Sequence, residues 1–164
     1  MSALKTTWGA SLRLTADFRG RAQLLTGVRV LVGDLCAQCL APGERSSMLV
    51  MAVQELAENL VKYSQGEASL SFELGLVQDQ AVASICTLNS ASPEHLREAT
   101  EIFSRICSAA DANSLYDKML AASGEREGSR LGLIRIRAEA GLVLSCTTDR
   151  ERLSITATGP VEPK

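Results

Sequence analysis

The segment from Glu55 to Ser64, ELAENLVKYS, places a carboxylate, a neutral amide and an ammonium at spacings of four and three: Glu55, Asn59 and Lys62. Residues three and four apart in an α-helix lie on one face. The three therefore share a stripe, beside an apolar stripe made of Leu49, Ala52, Val53, Leu56, Leu60 and Tyr63. Such a polar row suits a hydrated magnesium ion and the triphosphate it accompanies. Magnesium keeps most of its waters and takes few protein ligands. Asn supplies an oxygen to it, and Lys meets phosphate as a point charge. The same residues also read as the solvent flank of an amphipathic helix carrying a Glu58/Lys62 i,i+4 pair, worth only tenths of a kcal/mol. Spacing alone leaves both readings open.

Composition narrows the classes. The chain has 164 residues, 46% hydrophobic and 22% charged, as expected for one globular domain with a sizeable core. A net charge of −2, with one Trp, two Tyr and three Phe, offers neither the basic stripe nor the stacking surface of nucleic-acid binders. The opening MSALKTTWGASLRL has no uninterrupted apolar stretch, unlike a secretory signal. No apolar run reaches membrane-spanning length. The expectation is a cytoplasmic protein with no membrane and no nucleic-acid partner. Five cysteines, an odd number, argue against a disulfide framework. Cys36 and Cys39 form a C-x-x-C, but no second such pair exists and His95 is the only histidine, so a four-ligand zinc site is not completed. All five, including Cys86, Cys107 and Cys146, are expected to be core thiols in apolar surroundings.

The elements that must position the polar row follow from periodicity. Residues 11–18 alternate as a first strand, 21–40 form a helix closed by Pro42-Gly43, and 46–64 form the helix carrying the row. Residues 68–76 and 81–88 alternate around a short turn at 78–80, which predicts an antiparallel hairpin. Ser92 and Pro93 supply an N-cap and a first helical residue for a helix to about Ala109. Asp111 caps a shorter helix ending near Ser123. A polar loop over 124–130 feeds a helix over 131–140, stopped by Gly141. Two closing strands carry Leu142, Leu144 and Cys146, then Leu153, Ile155 and Ala157, and 159–164 reads as a frayed tail. Strands in hairpins separated by helices predict an α+β two-layer sandwich, with a mixed or antiparallel sheet covered by helices on one face.

Taken in order, E-x-x-x-N-x-x-K-Y on a helix, a strand pair, helices, a Gly-containing loop, a helix opening L-G-L and two final strands resemble the GHKL ATPase superfamily. Glu55 and Asn59 fall on its N box, and Gly128 to Ile136, GSRLGLIRI, is similar to its second glycine box, G-x-G-L-G. A narrower resemblance, over nearly the whole chain after about Leu25, is to the SiaB-like and anti-sigma-factor-type bacterial protein kinases. There, Leu88-Asn89-Ser90 ends a strand before two helices and the glycine segment. The resemblance implies ATP and Mg²⁺ as cofactors and Glu55 as the general base. It also implies Asn59 as the magnesium ligand, with Lys62, Asn89, Gly128, Arg130 and Gly132 around the nucleotide. The implied partner is a small signalling protein that accepts phosphate on a serine or threonine in a partner-switching pathway, and a homodimer is compatible with it.

Two departures bear on that implication. The first glycine box, D-x-G-x-G in the superfamily, is Asn89-Ser90-Ala91-Ser92 here; the amide oxygen can still accept a hydrogen bond from an adenine amino group, but without charge. In the second box Arg130 replaces the middle glycine, and with it the backbone freedom that admits phosphate closely. A guanidinium can meet phosphate as a fork instead, helped by the following helix N-terminus. Two functions therefore stand: an ATP-dependent serine/threonine kinase, and a non-catalytic binding module of the same fold that has lost ATP. A histidine kinase is disfavoured, because His95 sits in the first turn of a short helix rather than on a dimerisation helix.

Overall fold

The computed structural model describes residues 5–122 and 128–164. Strand β1 (Lys5–Asp17) is followed by helices α1 (Gln23–Cys39) and α2 (Glu44–Tyr63), then by the hairpin β2 (Glu67–Val77) and β3 (Gln80–Ser90). Helices α3 (Pro93–Ser108), α4 (Ala112–Ala122) and α5 (Gly128–Ala138) lead to the closing hairpin β4 (Val143–Asp149) and β5 (Arg152–Pro160). The five strands form one sheet in the order β1-β2-β3-β5-β4, every neighbouring pair antiparallel. The expected α+β two-layer sandwich is the observed architecture.

Alternation decides which sheet face meets the helices. Leu70, Phe72 and Leu74 of β2, Ala83 and Ile85 of β3, and Leu153, Ile155 and Ala157 of β5 are buried on one face, the period of two that a half-buried sheet requires. Against it lies α2, whose Leu49, Ala52, Val53, Leu56, Ala57 and Leu60 are all buried. The intervening strand residues carry small hydroxyls and a thiol. Ser71, Cys86 and Thr156 sit side by side in register on β2, β3 and β5, and the Thr156 hydroxyl lies 3.7 Å from the Cys86 sulfur.

Local chemistry explains most boundaries. The β2–β3 turn is closed by Val77 opposite Gln80, and both intervening residues, Gln78 (φ 50°) and Asp79 (φ 63°), take positive φ, as a tight hairpin turn needs. The Ser92 hydroxyl accepts a hydrogen bond from the His95 backbone N–H at 3.2 Å, and Pro93 opens α3, as capping chemistry predicts. Asp111 accepts from the Asn113 N–H at 3.0 Å at the start of α4.

Four expectations are corrected. The first strand begins at Lys5 rather than at residue 11, because its register shifts between Lys5 and Ala10 around Gly9 and the strand resumes beyond that irregularity. Of the expected 124–130 loop, residues 128–130 are the first turn of α5, and residues 123–127 lie outside the described residues. The C-terminal segment is not frayed. Val161 is buried and its N–H donates to the Ala81 carbonyl, Pro163 bridges to Leu40, and the Lys164 ammonium donates to the Ala37 carbonyl at 2.8 Å. The cysteines are not uniformly core: Cys36 is buried, Cys39, Cys86 and Cys146 are half-buried, and Cys107 is exposed.

Two long-range arginine clamps tie distant elements together. Arg45, near the start of α2, donates to the Pro160 carbonyl and to the Ala140 carbonyl, tying α2 to the ends of α5 and β5. Arg137 of α5 donates to the Ile106 and Ala109 carbonyls, which caps the C-terminal end of α3 with cationic donors.

Two stability predictions follow from these positions. Gly9 has φ +138°, and a side-chain carbon there would meet the Leu74 carbonyl. Gly9→Ala is expected to cost about 1–3 kcal/mol by urea unfolding; an unchanged midpoint would show that the irregularity tolerates a side chain. Burial, with a smaller contribution from Cys39, pushes the Cys36 thiol from 9.0 up to about 11. Because the folded value exceeds the unfolded one, that contribution is fully present below pH 9.0 and is lost as pH rises through about 11. Cys36→Ala should therefore flatten the alkaline limb of a melting-temperature profile.

Candidate functional site

Glu55 and Asn59 stand one turn apart on α2, and Asn89 ends the buried face of β3 beside that helix. Asn59, Leu60 and Tyr63 of α2, Thr87 and Asn89 of β3, and His95 of α3 are among the residues enclosing a cavity of about 30 Å³. Leu133 of α5 and the β5 residues Leu153 and Ile155 supply apolar wall. Thr87 and Asn89 are two of the few buried polar side chains, and the Asn89 amide donates to the Ser90 carbonyl at 3.0 Å. Polar groups in such a place orient a ligand, while the apolar wall supplies most of the contact.

A volume of about 30 Å³ has room for a water molecule, whereas ligand pockets run to about 300–1,000 Å³. An aromatic pair forms part of the cavity wall. The Tyr63 and His95 rings stack with centroids 4.0 Å apart and planes 12° from parallel, joining the last turn of α2 to the first turn of α3. Burial holds the His95 imidazole below its ordinary pKa, with Glu98 acting weakly in the other direction. The neutral ring is thus the form that stacks.

Glu55 is turned toward α5. Its carboxylate pairs with the Arg135 guanidinium at 3.3 Å, and Arg135 also grips Glu139 at 2.8 Å. Gly132 makes this approach feasible, because a side-chain carbon at that position would occupy the place of the Glu55 Oε2 atom. Burial, followed by the neighbouring Glu58, raises the Glu55 pKa; Arg135 and Lys62 act to lower it. A carboxyl raised toward neutrality is better matched to accepting a proton at physiological pH than an ordinary one.

The remaining sequence candidates are dispersed. Lys62 is largely exposed and pairs with Glu58 at 3.7 Å, the i,i+4 contact read from the sequence, and it does not line the cavity. Gly128 and Arg130 belong to the first turn of α5 rather than to a loop. Gly132 is helical too and faces Glu55. The structure therefore gathers Asn59 and Asn89 at the cavity, and Glu55 with Gly132 at the adjoining α2–α5 contact. Three positions escaped the sequence reading: Thr87, His95 as a cavity wall, and Arg135. The i,i+4 spacing of Arg135 and Glu139 is a signal that could have pointed to Arg135. Among the described residues, no group of three or more His, Cys, Asp or Glu side chains is placed to hold a metal ion, and no helix is long and apolar enough to cross a membrane.

Among solved structures, the fold is similar to a chain in the crystal structure of the SiaB–SiaC complex from Pseudomonas aeruginosa, with a TM-score of 0.63. The match covers 92% of this chain and 89% of that one at 13% sequence identity, a likeness of fold. No protein-family model matches the chain, and no curated protein matches it.

The stacked pair generates a pH prediction. A histidine whose folded pKa is depressed contributes stability above its unfolded value of 6.5, and that contribution is lost as pH falls through the folded value. His95→Phe keeps a flat ring on Tyr63 and removes the proton. Its melting temperature should therefore fall less than wild type between about pH 8 and pH 5. Parallel profiles would show that His95 titrates without loosening α3.

Proposed function

We propose that this chain is a SiaB-like, GHKL-type ATP-dependent protein serine/threonine kinase, which phosphorylates a small partner protein in a bacterial partner-switching pathway. The observation that carries the reading is the placement of Glu55 and Asn59 on successive turns of α2, beside the cavity that ends at Asn89. Similarity of fold to a chain from a two-protein complex, across nearly its full length, supports a protein partner.

The donor chemistry fits a magnesium nucleotide: the Asn59 amide oxygen is a hard ligand of the kind magnesium accepts while keeping its waters. The cavity volume fits an adenine only once α3 has moved off α2, since about 30 Å³ is present. Bound ATP would supply the phosphoryl group. In this reading the Asn89 amide oxygen accepts from the adenine amino group, and Leu133 and Ile155 pack on the ring. Asn59 would hold the metal, and Lys62 with the Gly128–Gly132 turn at the start of α5 would supply the groups that meet the phosphates. Glu55 accepts the proton from the acceptor hydroxyl as that oxygen bonds to phosphorus and the bond to the ADP leaving group breaks. Positioning and charge neutralisation are most of what phosphoryl transfer asks of a protein.

A second reading is favoured by a specific observation. The cavity is nearly filled and Glu55 is already paired with Arg135, as suits a non-catalytic module that keeps the fold and a partner surface without ATP. A titration with ATP and Mg²⁺ separates the two. A ligand at 100 times its dissociation constant stabilises the fold by about 2.7 kcal/mol. The kinase reading expects a melting shift that Asn59→Ala abolishes, while Glu55→Ala keeps the shift and lowers transfer by about 10²–10⁴-fold. Lys62→Ala should weaken nucleotide binding without destroying it. No melting shift and no calorimetric heat for the wild type, in a preparation that still binds its protein partner, would sink the kinase reading in favour of the module.

A further inference from the structure

The Glu55–Arg135 contact is more built than an exposed ion pair between helices. Two residues of α5 and one just past its end shape it: Gly132 leaves the room that the Glu55 Oε2 atom occupies, Arg135 offers one arm of its guanidinium to Glu55 at 3.3 Å, and Glu139 holds the Nε edge at 2.8 Å. Positions 132, 135 and 139 are spaced three and four apart, so one helical face carries the notch, the clamp and the anchor of the clamp. Arg is the residue type that can do this, because its planar fork serves two carboxylates at once. The Glu55 side chain is only 19% exposed, so its orientation is set by what α5 presents.

We propose that Arg135 is a positioning residue for Glu55, anchored by Glu139, which aims the Glu55 carboxylate across the Gly132 notch. The inference rests on the kinase reading for the use made of that carboxylate. The balance of charges around Glu55 is what the pair must overcome. Burial and Glu58 favour the protonated form; Arg135 and Lys62 oppose them. Among the described residues these are the charged groups acting on Glu55, with Glu139 behind Arg135; α1, β2 and β3, which also pack on α2, contribute none. Lys62 is shared with Glu58, which leaves Arg135 as the cation directly bonded to Glu55 among the described residues.

The test follows the Glu55 side-chain carboxyl by carbon-13 NMR across a pH titration of the full chain, in wild type, Arg135→Gln and Arg135→Lys. Arg135→Gln should move the Glu55 midpoint upward, and Arg135→Lys should restore part of the difference, since it keeps the charge and loses the fork. Phosphoryl transfer by Arg135→Gln should fall most on the acidic side of its pH profile, through kcat, with the nucleotide KM unchanged because Arg135 does not line the cavity. Gly132→Ala, which leaves every charge in place, should lower transfer by displacing the carboxylate. An unmoved Glu55 midpoint in Arg135→Gln overturns the proposal, as does a loss of transfer that is uniform across pH. An upward midpoint in a wild-type background that transfers no phosphate at any pH supports the pairing and removes the kinase reading, so the two failures are distinguishable.

Discussion

Burial of the apolar stripe of α2 on the sheet is the constraint from which the rest of the molecule takes its geometry. Leu49, Val53 and Leu56 are wholly excluded from water, and Leu60 nearly so; each contributes about 1.5–3 kcal/mol relative to an exposed side chain. Once that stripe is seated, the helix has no rotational freedom left, and the polar residues beside it are aimed by default. Asn59 turns to the cavity, Glu55 to α5, and Lys62 to solvent with Glu58. Rotating α2 by one residue would bury Glu55 or Asn59 in place of a leucine. The polar row is held in place by the hydrophobic effect acting on its neighbours.

The same seating explains why the cavity and the carboxylate differ in kind. The cavity lies between the helices and the strands β3 and β5, and the stacked Tyr63 and His95 rings form part of its wall, a contact worth about 0.5–1.5 kcal/mol beyond its buried area. Glu55 is enclosed by helix-on-helix packing that depends on the absence of a side chain at Gly132.

How much of this was legible in the sequence varied with the range of the interaction responsible. The hairpin β2–β3 was clear from Leu70, Phe72 and Leu74, since period-two burial is a local signal; Ser92-Pro93 marked the start of α3 because capping is settled within four residues. The start of β1 was not, because Gly9 interrupts the alternation and only the Leu74 carbonyl, far along the chain, shows why a glycine stands there. The first turn of α5 was read as loop, since the intrinsic helix preference of Gly128 and Ser129 is weak, whereas the backbone there is helical. The tail was read as frayed, while its backbone bonds go to Ala81 and Cys39, unseen in sequence. Glu55 and Asn59 were found by spacing; the partner of Glu55 lies 80 residues away, and no periodicity reports it.

The strand order has a consequence for how the chain reaches this state. β5, the last element in sequence, is inserted between β3 and β4, so the sheet has an interior vacancy until the closing segment arrives. During synthesis β1, β2 and β3 can pair, but β3 waits with an open hydrogen-bonding edge while three helices and β4 emerge. An unpaired edge of that kind invites the wrong strand. The Ser and Thr residues on the outward face of β3 and β5, together with the late arrival of β5, make completion of the sheet a matter of the whole chain being present. Nascent chains stalled before residue 152 should depend on a chaperone far more than the finished protein does.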